Sequence, residues 1–205
     1  MAFSNKNRIN RLLTYRHFIR RTGDQNCLYS HQIAASLQLG ASLVRRDFQN
    51  LRLTGSTIEG YATASLLHHI DESLPIPRPI PTLLVANPQE AIPLRRYLSH
   101  YPDVVRIKAI ADENLRLTLP MHGNQYETVS ANLLRIQQIA VAILALSTDN
   151  AQAVAESLAF MGIHALVNLA PTVLHLPHSV IVENFDLDQA IEKVAFFALN
   201  SGRKP

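Results

Sequence analysis

Four side chains in one short stretch are spaced to meet a polyanion. Ser42, Arg45, Arg46 and Gln49 stand at i, i+3, i+4 and i+7, so on a helix they share one face. Either arginine could read a guanine edge or hold a phosphate. A second stretch, LLVANPQEAIPL at 83–94, begins like a buried parallel strand running into a nucleotide-binding turn. It puts Asn87, Pro88, Gln89 and Glu90 where glycines would be expected. A third, NLAP with Asn168 and Pro171, reads as a turn at a strand's carboxyl end. Ligands of α/β sheets bind at such ends, so both a turn role and a ligand role are open.

Other chemistry is poorly served. Nine histidines invite a metal reading. His68 and His69 are adjacent and on a helix would point about 100° apart. His175 and His178 flank Leu-Pro in HLPH, and no cysteine or carboxylate cluster completes a site. No Ser/His/Asp order or G-x-S-x-G elbow appears, nor any acid, base or hydride-transfer site. Neither a metal nor an enzymatic activity is expected.

The 205 residues suffice for one large or two small domains, and 47% hydrophobic content suits a packed core. No apolar run reaches the ~18 residues of a membrane helix. The polar start MAFSNKNRIN lacks the apolar centre of a secretory signal. Cys27 is the only cysteine, which fits a reducing cytoplasm. Residues 1–70 carry 9 Lys/Arg against 3 Asp/Glu, and residues 71–205 carry 10 against 13. The basic first part suggests a polyanion partner.

DESLPIPRPIPT has prolines at 75, 77, 79 and 81. Alternating prolines do not sustain a helix or a central strand, so 75–81 reads as a stiff linker. Before it the pattern is helical. Ile9, Leu12, Leu13 and Phe18 lie near one stripe, ended at Gly23-Asp24. Ser30 can cap a second helix with Ile33, Ala34 and Leu37. After Gly40, a third helix aligns Val44, Phe48 and Leu51 opposite the Ser42–Gln49 face. LRLTGSTIEGYAT then resembles a β-wing with turn glycines at 55 and 60. Two helices about a glycine turn, the second bearing arginines, are helix-turn-helix geometry. A three-helix structural or protein-interaction module with solvated arginines fits the same spacing.

After the linker, strand patterns at 82–86, 104–110, 141–146, 165–169 and 180–183 alternate with helical ones at 91–100, 128–138 and 150–161. That alternation predicts a parallel sheet with right-handed crossovers, a Rossmann-like architecture.

Over nearly its whole length the chain resembles Rex, the redox-sensing transcriptional repressors of bacteria. RLLTYRHFI is similar to the family's first helix, and SLVRRDFQNLRLTGSTIEGYATASLL to its recognition helix and wing. The longest match, AILALSTDNAQAVAESLAFMGIHALVNLAPTVLHLPHSVIVENFDL, covers 142–187. The resemblance implies a homodimer that binds an operator with inverted symmetry through winged helices. It implies sensing of NADH/NAD in Rossmann domains, and exchange of C-terminal helices between subunits. FDLDQAIEKVAFFALN could be that helix. Asp186 with Gln189 forms a candidate capping box, and Leu187, Ile191, Val194 and Ala198 form its apolar stripe.

The cofactor motif departs from the family. Its G-x-G-x-x-G glycines fall on Ala86, Pro88 and Ala91. Ala91 can serve the close packing of helix on strand that the third glycine provides. Pro88 puts a ring where the pyrophosphate should approach and removes an N–H donor. Asn87, Pro88 and Glu90 instead spell a helix cap, a first-turn proline and a capping box, although Pro93 would break the hydrogen bond to residue 89, so a helix that begins nearer Pro93 fits as well. The family's ribose-binding Asp falls on Ala111, with Asp112 and Glu113 following. Leu146-Ser147 stands where the family has Val-Pro. In the wing, Ser56 and Thr57 replace a Lys-Arg pair, Ile58 replaces a glycine, and Glu59 adds a negative charge.

The expectation is thus an α/β chain in four parts. Residues 1–74 form a winged-helix DNA-binding domain, 75–81 a linker, 82–184 a Rossmann-like domain and 185–205 a dimer-exchange helix. Candidate DNA contacts are Ser30, Ser42, Arg45, Arg46, Gln49, Arg11, Arg16 and Arg52. Degraded cofactor positions are Ala86, Asn87, Pro88, Ala91, Asp112, Leu146 and Asn168. NAD(H), implied by the family, is not expected to bind with usual affinity. The leading function is a Rex-like repressor with lost or altered redox sensing. The alternative is a diverged paralogue that dimerises, with a Rex subunit as candidate partner, and binds DNA only weakly.

Overall fold

The computed structural model describes residues 6–22, 26–53, 59–117 and 128–200. The chain divides into two compact units, Met1–Ile76 and Pro77–Pro205.

In the first unit, α1 (Lys6–Arg21), β1 (Cys27–Leu28), α2 (Ser30–Ser36), α3 (Ala41–Asn50), β2 (Tyr61–Ala62) and α4 (Thr63–Ser73) follow in order. β1 pairs antiparallel with β2, and Thr63 N–H donates to Asn26 O at 3.0 Å. This is winged-helix architecture. Two elements escape the sequence pattern: the two-residue β1 is too short to show a period, and α4 follows the wing without a capping signal. The wing residues Gly55, Ser56, Thr57 and Ile58, and the helix stop at Gly23-Asp24, lie outside the described residues. Gly60 (φ +73°) is in the left-handed region. A Cβ there would sit 3.1 Å from Leu28 O and 3.2 Å from the Tyr29 ring, so glycine alone fits.

The core of this unit joins Leu12, Tyr15, Ile19, Ile33, Val44, Phe48, Leu66 and Ile70. Phe48 is fully buried between two rings in edge-to-face contact, Tyr15 at 5.4 Å and Tyr61 at 5.0 Å. The buried stripe of α1 is Leu12, Tyr15, Arg16 and Ile19, whereas Ile9 is exposed. The i, i+3, i+4, i+7 spacing therefore buries an arginine.

The second unit holds β3 (Ile80–Ala86), α5 (Pro88–Leu98), β4 (Val105–Ala111), α6 (Ala131–Ile136), β5 (Val141–Ala145), α7 (Thr148–Phe160), β6 (Ala165–Asn168), β7 (Ile181–Asn184) and α8 (Leu187–Asn200). Its five strands are all parallel, in the order β4-β3-β5-β6-β7. The fold is Rossmann-like. The order reverses at β3, so the switch point lies between the carboxyl ends of β3 and β5. Alternation along β3 sends Leu83 and Val85 to one face, under α6 and α7. Leu84 and Ala86 go to the other, with Ala91 of α5.

Pro81 lies inside β3, a central strand, so the proline segment ends sooner than 81. Ile80 N–H donates to Val104 O on the β4 side at 2.9 Å. At Pro81 the backbone faces the other neighbour, where Ala140 N–H donates to Pro81 O at 3.0 Å. β5 is first paired at Val141 opposite Thr82. The missing proline N–H thus falls just before that ladder begins. The 128–138 helix pattern shortens to Ala131–Ile136, started by Ser130, whose Oγ accepts from Leu133 N–H.

The connection from β6 to β7 carries no helix. The sheet face covered by α5 therefore keeps a groove of about 570 Å³, lined by Leu94, Leu98, Ile143, Val167, Leu169 and Phe185 among others.

Candidate functional site

Two regions carry the candidate chemistry. On α3, Val44 and Phe48 are buried, while Ser42, Arg45, Arg46 and Gln49 are exposed. The helix thus offers the polar face that its spacing predicts, at the position of the second helix of the helix-turn-helix. Arg52 is also exposed, two residues past the end of α3, with φ +57°.

Three other predicted DNA contacts are spent on the fold. Ser30 is not the cap of α2: Tyr29 precedes the helix, its N–H donating to Gln32 Oε1 at 3.2 Å, and Ser30 is buried in the first turn. Arg16 is buried, ion-paired with Asp71 of α4, and donates to Leu74 O at 3.3 Å. Arg20 reaches the same carboxylate at 3.2 Å. Arg11 forms a two-point pair with Asp47 of α3, Nε to Oδ2 at 2.6 Å and Nη2 to Oδ1 at 2.9 Å. Tyr15 Oη donates to Asp47 Oδ2 at 3.0 Å. Burial pushes the Asp47 carboxyl up. The hydrogen bonds from Arg11 and Tyr15, with the charges of Arg11 and Arg8, outweigh it and hold Asp47 below the ordinary carboxylate value. Hydrogen bonding to Asp47 raises Arg11 against desolvation; burial, followed by its own hydrogen bond to Asp47, raises the Tyr15 hydroxyl.

Sequence reasoning passed over Asp47. It sits three residues after Val44 and one before Phe48, on the buried stripe. A charge on an apolar stripe is the signal of a buried pair.

The second region is the switch point. α5 begins at Pro88 with Asn87 as N-cap, as the Asn-Pro reading requires, but the Asn87 side chain makes no capping bond and the capping box with Glu90 is not formed. Asn87 has φ −59°, and no residue of this turn has positive φ. The turn thus runs in a conformation that needs no glycine. Pro88 supplies no N–H at the first helical position, and Glu90 sits in the first turn. Asp149 occupies the first turn of α7 on the other side of the crevice. Each helix N-terminus that would attract a phosphate already has a carboxylate beside it. Ala91 is buried with Leu84, Ala86, Ile110 and Ile143, the close packing that its small side chain allows.

The remaining candidates are engaged elsewhere. Asp112 Oδ1 accepts from Asn114 N–H at 2.9 Å and Arg116 N–H at 2.8 Å, closing the turn after β4. Leu146 is a core residue under α7. Asn168 is buried. Its Nδ2 donates to Thr172 O at 2.7 Å and Asn184 Oδ1 at 2.9 Å, and its Oδ1 accepts from Ala170 N–H at 3.1 Å. Both Nδ2 donors and one acceptor position of Oδ1 thus serve the NLAP turn and its junction with β7, which is the turn role. Among the described residues, no group of three or more His, Cys, Asp or Glu could hold a metal, and no helix is long and apolar enough to cross a membrane.

No family model matches the chain. It is 25% identical over 197 residues to the redox-sensing transcriptional repressor Rex of Ligilactobacillus salivarius (strain UCC118), covering 94% of this chain and 92% of that one. Its fold is similar to the solved structure of RSP, a Rex-family repressor, with TM-score 0.77 and 24% identity over 98% and 97% of the two chains. RSP in complex with β-NAD⁺ and operator DNA gives TM-score 0.74 at 24% identity over 95% and 91%.

Proposed function

We infer that this chain, a member of the Rex family of redox-sensing transcriptional repressors, is a dimeric DNA-binding regulator of the cytoplasm. Its dinucleotide sensing is lost or altered, and it performs no enzymatic step. The observation that carries DNA binding is the α3 face. Ser42, Arg45, Arg46 and Gln49 are all exposed on the second helix of the helix-turn-helix, with Arg52 beside them. Arginine side chains there can hold phosphates or reach guanine edges of an operator. An operator with inverted symmetry would match a twofold dimer.

A homodimer is supported by α8. None of its residues is buried, and Leu187, Ile191, Val194, Phe196, Phe197 and Leu199 are all exposed. A helix that apolar needs cover. The uncovered groove beside α5 offers an apolar surface on the same unit.

Altered sensing is supported by the switch point. NAD(H) needs N–H donors at the start of α5, an open approach for its pyrophosphate and an acid for its ribose. Pro88, Glu90 and Ala111 fail these in turn, and Asp112 is committed to its own turn. These residues do not fit the dinucleotide in its usual pose. A direct test is calorimetry with NADH up to about 1 mM. Micromolar binding would restore the redox-sensor reading.

The alternative, a dimerising module with weak DNA binding, is favoured by one observation. Arg11 and Arg16 are withdrawn into the fold, so fewer cations face a phosphate backbone. Selection of duplexes from a random pool separates the two readings, since only the regulator enriches a sequence.

A further inference from the structure

We propose that Arg11 and Tyr15 are positioning residues for DNA recognition, acting through Asp47 to fix the roll of α3. This rests on the DNA-binding reading above. Asp47 follows directly on Arg46, and successive helical residues point about 100° apart. The orientation of the Asp47 side chain therefore sets where Arg45, Arg46 and Gln49 aim. That side chain is 2% exposed and gripped from two points on α1. Arg11 closes a two-toothed pair with both carboxylate oxygens, and Tyr15, one turn on, donates to Oδ2. The third nitrogen of Arg11, Nη1, donates to Asn7 O at 3.3 Å. Each guanidinium nitrogen thus has a partner within the unit. Tyr15 is itself fully buried, its ring against Phe48 of α3. A planar fork on a carboxylate tolerates little rotation, so α3 cannot roll without breaking bonds at both anchors.

The test uses a duplex enriched from a random pool by the wild-type protein, a scrambled duplex, and binding measured across a salt series. Asp47→Asn decides most sharply. It keeps the side-chain shape and removes a negative charge near DNA, so plain electrostatics makes binding tighter. The positioning role makes it weaker, by about tenfold on the enriched duplex, with less discrimination against the scrambled one. Arg11→Met has the same effect and leaves the slope of log affinity against log salt unchanged. Arg45→Met, a surface change, flattens that slope by about one phosphate contact. Tyr15→Phe, which removes one hydroxyl, moves affinity in the same direction as Asp47→Asn and keeps the proposal testable if Arg11→Met does not fold. Unchanged or tighter binding by Asp47→Asn overturns the proposal, as does a flattened salt slope for Arg11→Met. If no duplex is enriched, the DNA-binding reading fails and the positioning role with it. Enrichment followed by unchanged Asp47→Asn binding removes the positioning role alone.

Discussion

Asp112 and Arg116 bind each other twice through the backbone turn that ends β4. Arg116 N–H donates to Asp112 Oδ1 at 2.8 Å, and Asp112 N–H donates to Arg116 O at 2.9 Å. The carboxylate nearest the ribose position is thereby a structural part of its own loop. Swinging it to a ligand would leave the Asn114 and Arg116 N–H groups without their acceptor.

NADH at about 1 mM is therefore expected to leave the melting temperature unchanged. A ligand held at about 10 µM would add about 2.7 kcal/mol under the same conditions. The triple substitution Ala86→Gly, Pro88→Gly, Ala111→Asp restores glycines and an acid at the family's positions. It is expected to raise NADH affinity measurably in calorimetry.

Asn168→Ala is expected to cost about 1–3 kcal/mol in urea unfolding. Three hydrogen bonds of a buried carboxamide are lost, and the acceptor of Ala170 N–H goes with them.

Phe48→Ala should cost about 3–5 kcal/mol. The ring is fully buried between Tyr15 and Tyr61. Urea unfolding followed by circular dichroism checks it.

The Asp47 carboxyl titrates below its ordinary value of 3.8 in the folded protein. Below pH 3.8 the unfolded chain takes up that proton first, so stability falls as pH drops from about 3.8 through the lower folded value. Above pH 3.8 the contribution is fully present. Asp47→Asn is expected to be less stable at pH 7 and to lose less on acidification in that window. Thermal melts from pH 7 to 2.5 give both slopes.

Ile191→Asp with Val194→Asp puts two charges on the exposed stripe of α8. Sedimentation is expected to show a dimer for the wild type and a monomer for this variant. Retention of the dimer would move its interface off α8.

The sequence by itself determined the two-part architecture. Apolar periodicity is a local property, and it marked α3, the five strands and the exposed face carrying Arg45 and Arg46. It offered Asn87 and Pro88 as one start of α5, because cap preference and a locked proline φ act within one turn, but Pro93 left a later start open until the fold set the helix at Pro88–Leu98. It missed β1 and α4, which depend on the pairing of Cys27–Leu28 with Tyr61–Ala62, and it set the linker's end past the start of a strand, β3, in which Pro81 sits at no hydrogen-bond cost. Only the tertiary structure decided which polar groups are free. Arg11, Arg16, Asp112 and Asn168 all have the chemistry of a binding residue, yet each is engaged by partners on another element or within its own turn. Asp47, 36 residues from Arg11 along the chain, shows the reason: a charge on a buried stripe must find its counter-charge wherever the fold brings one within reach.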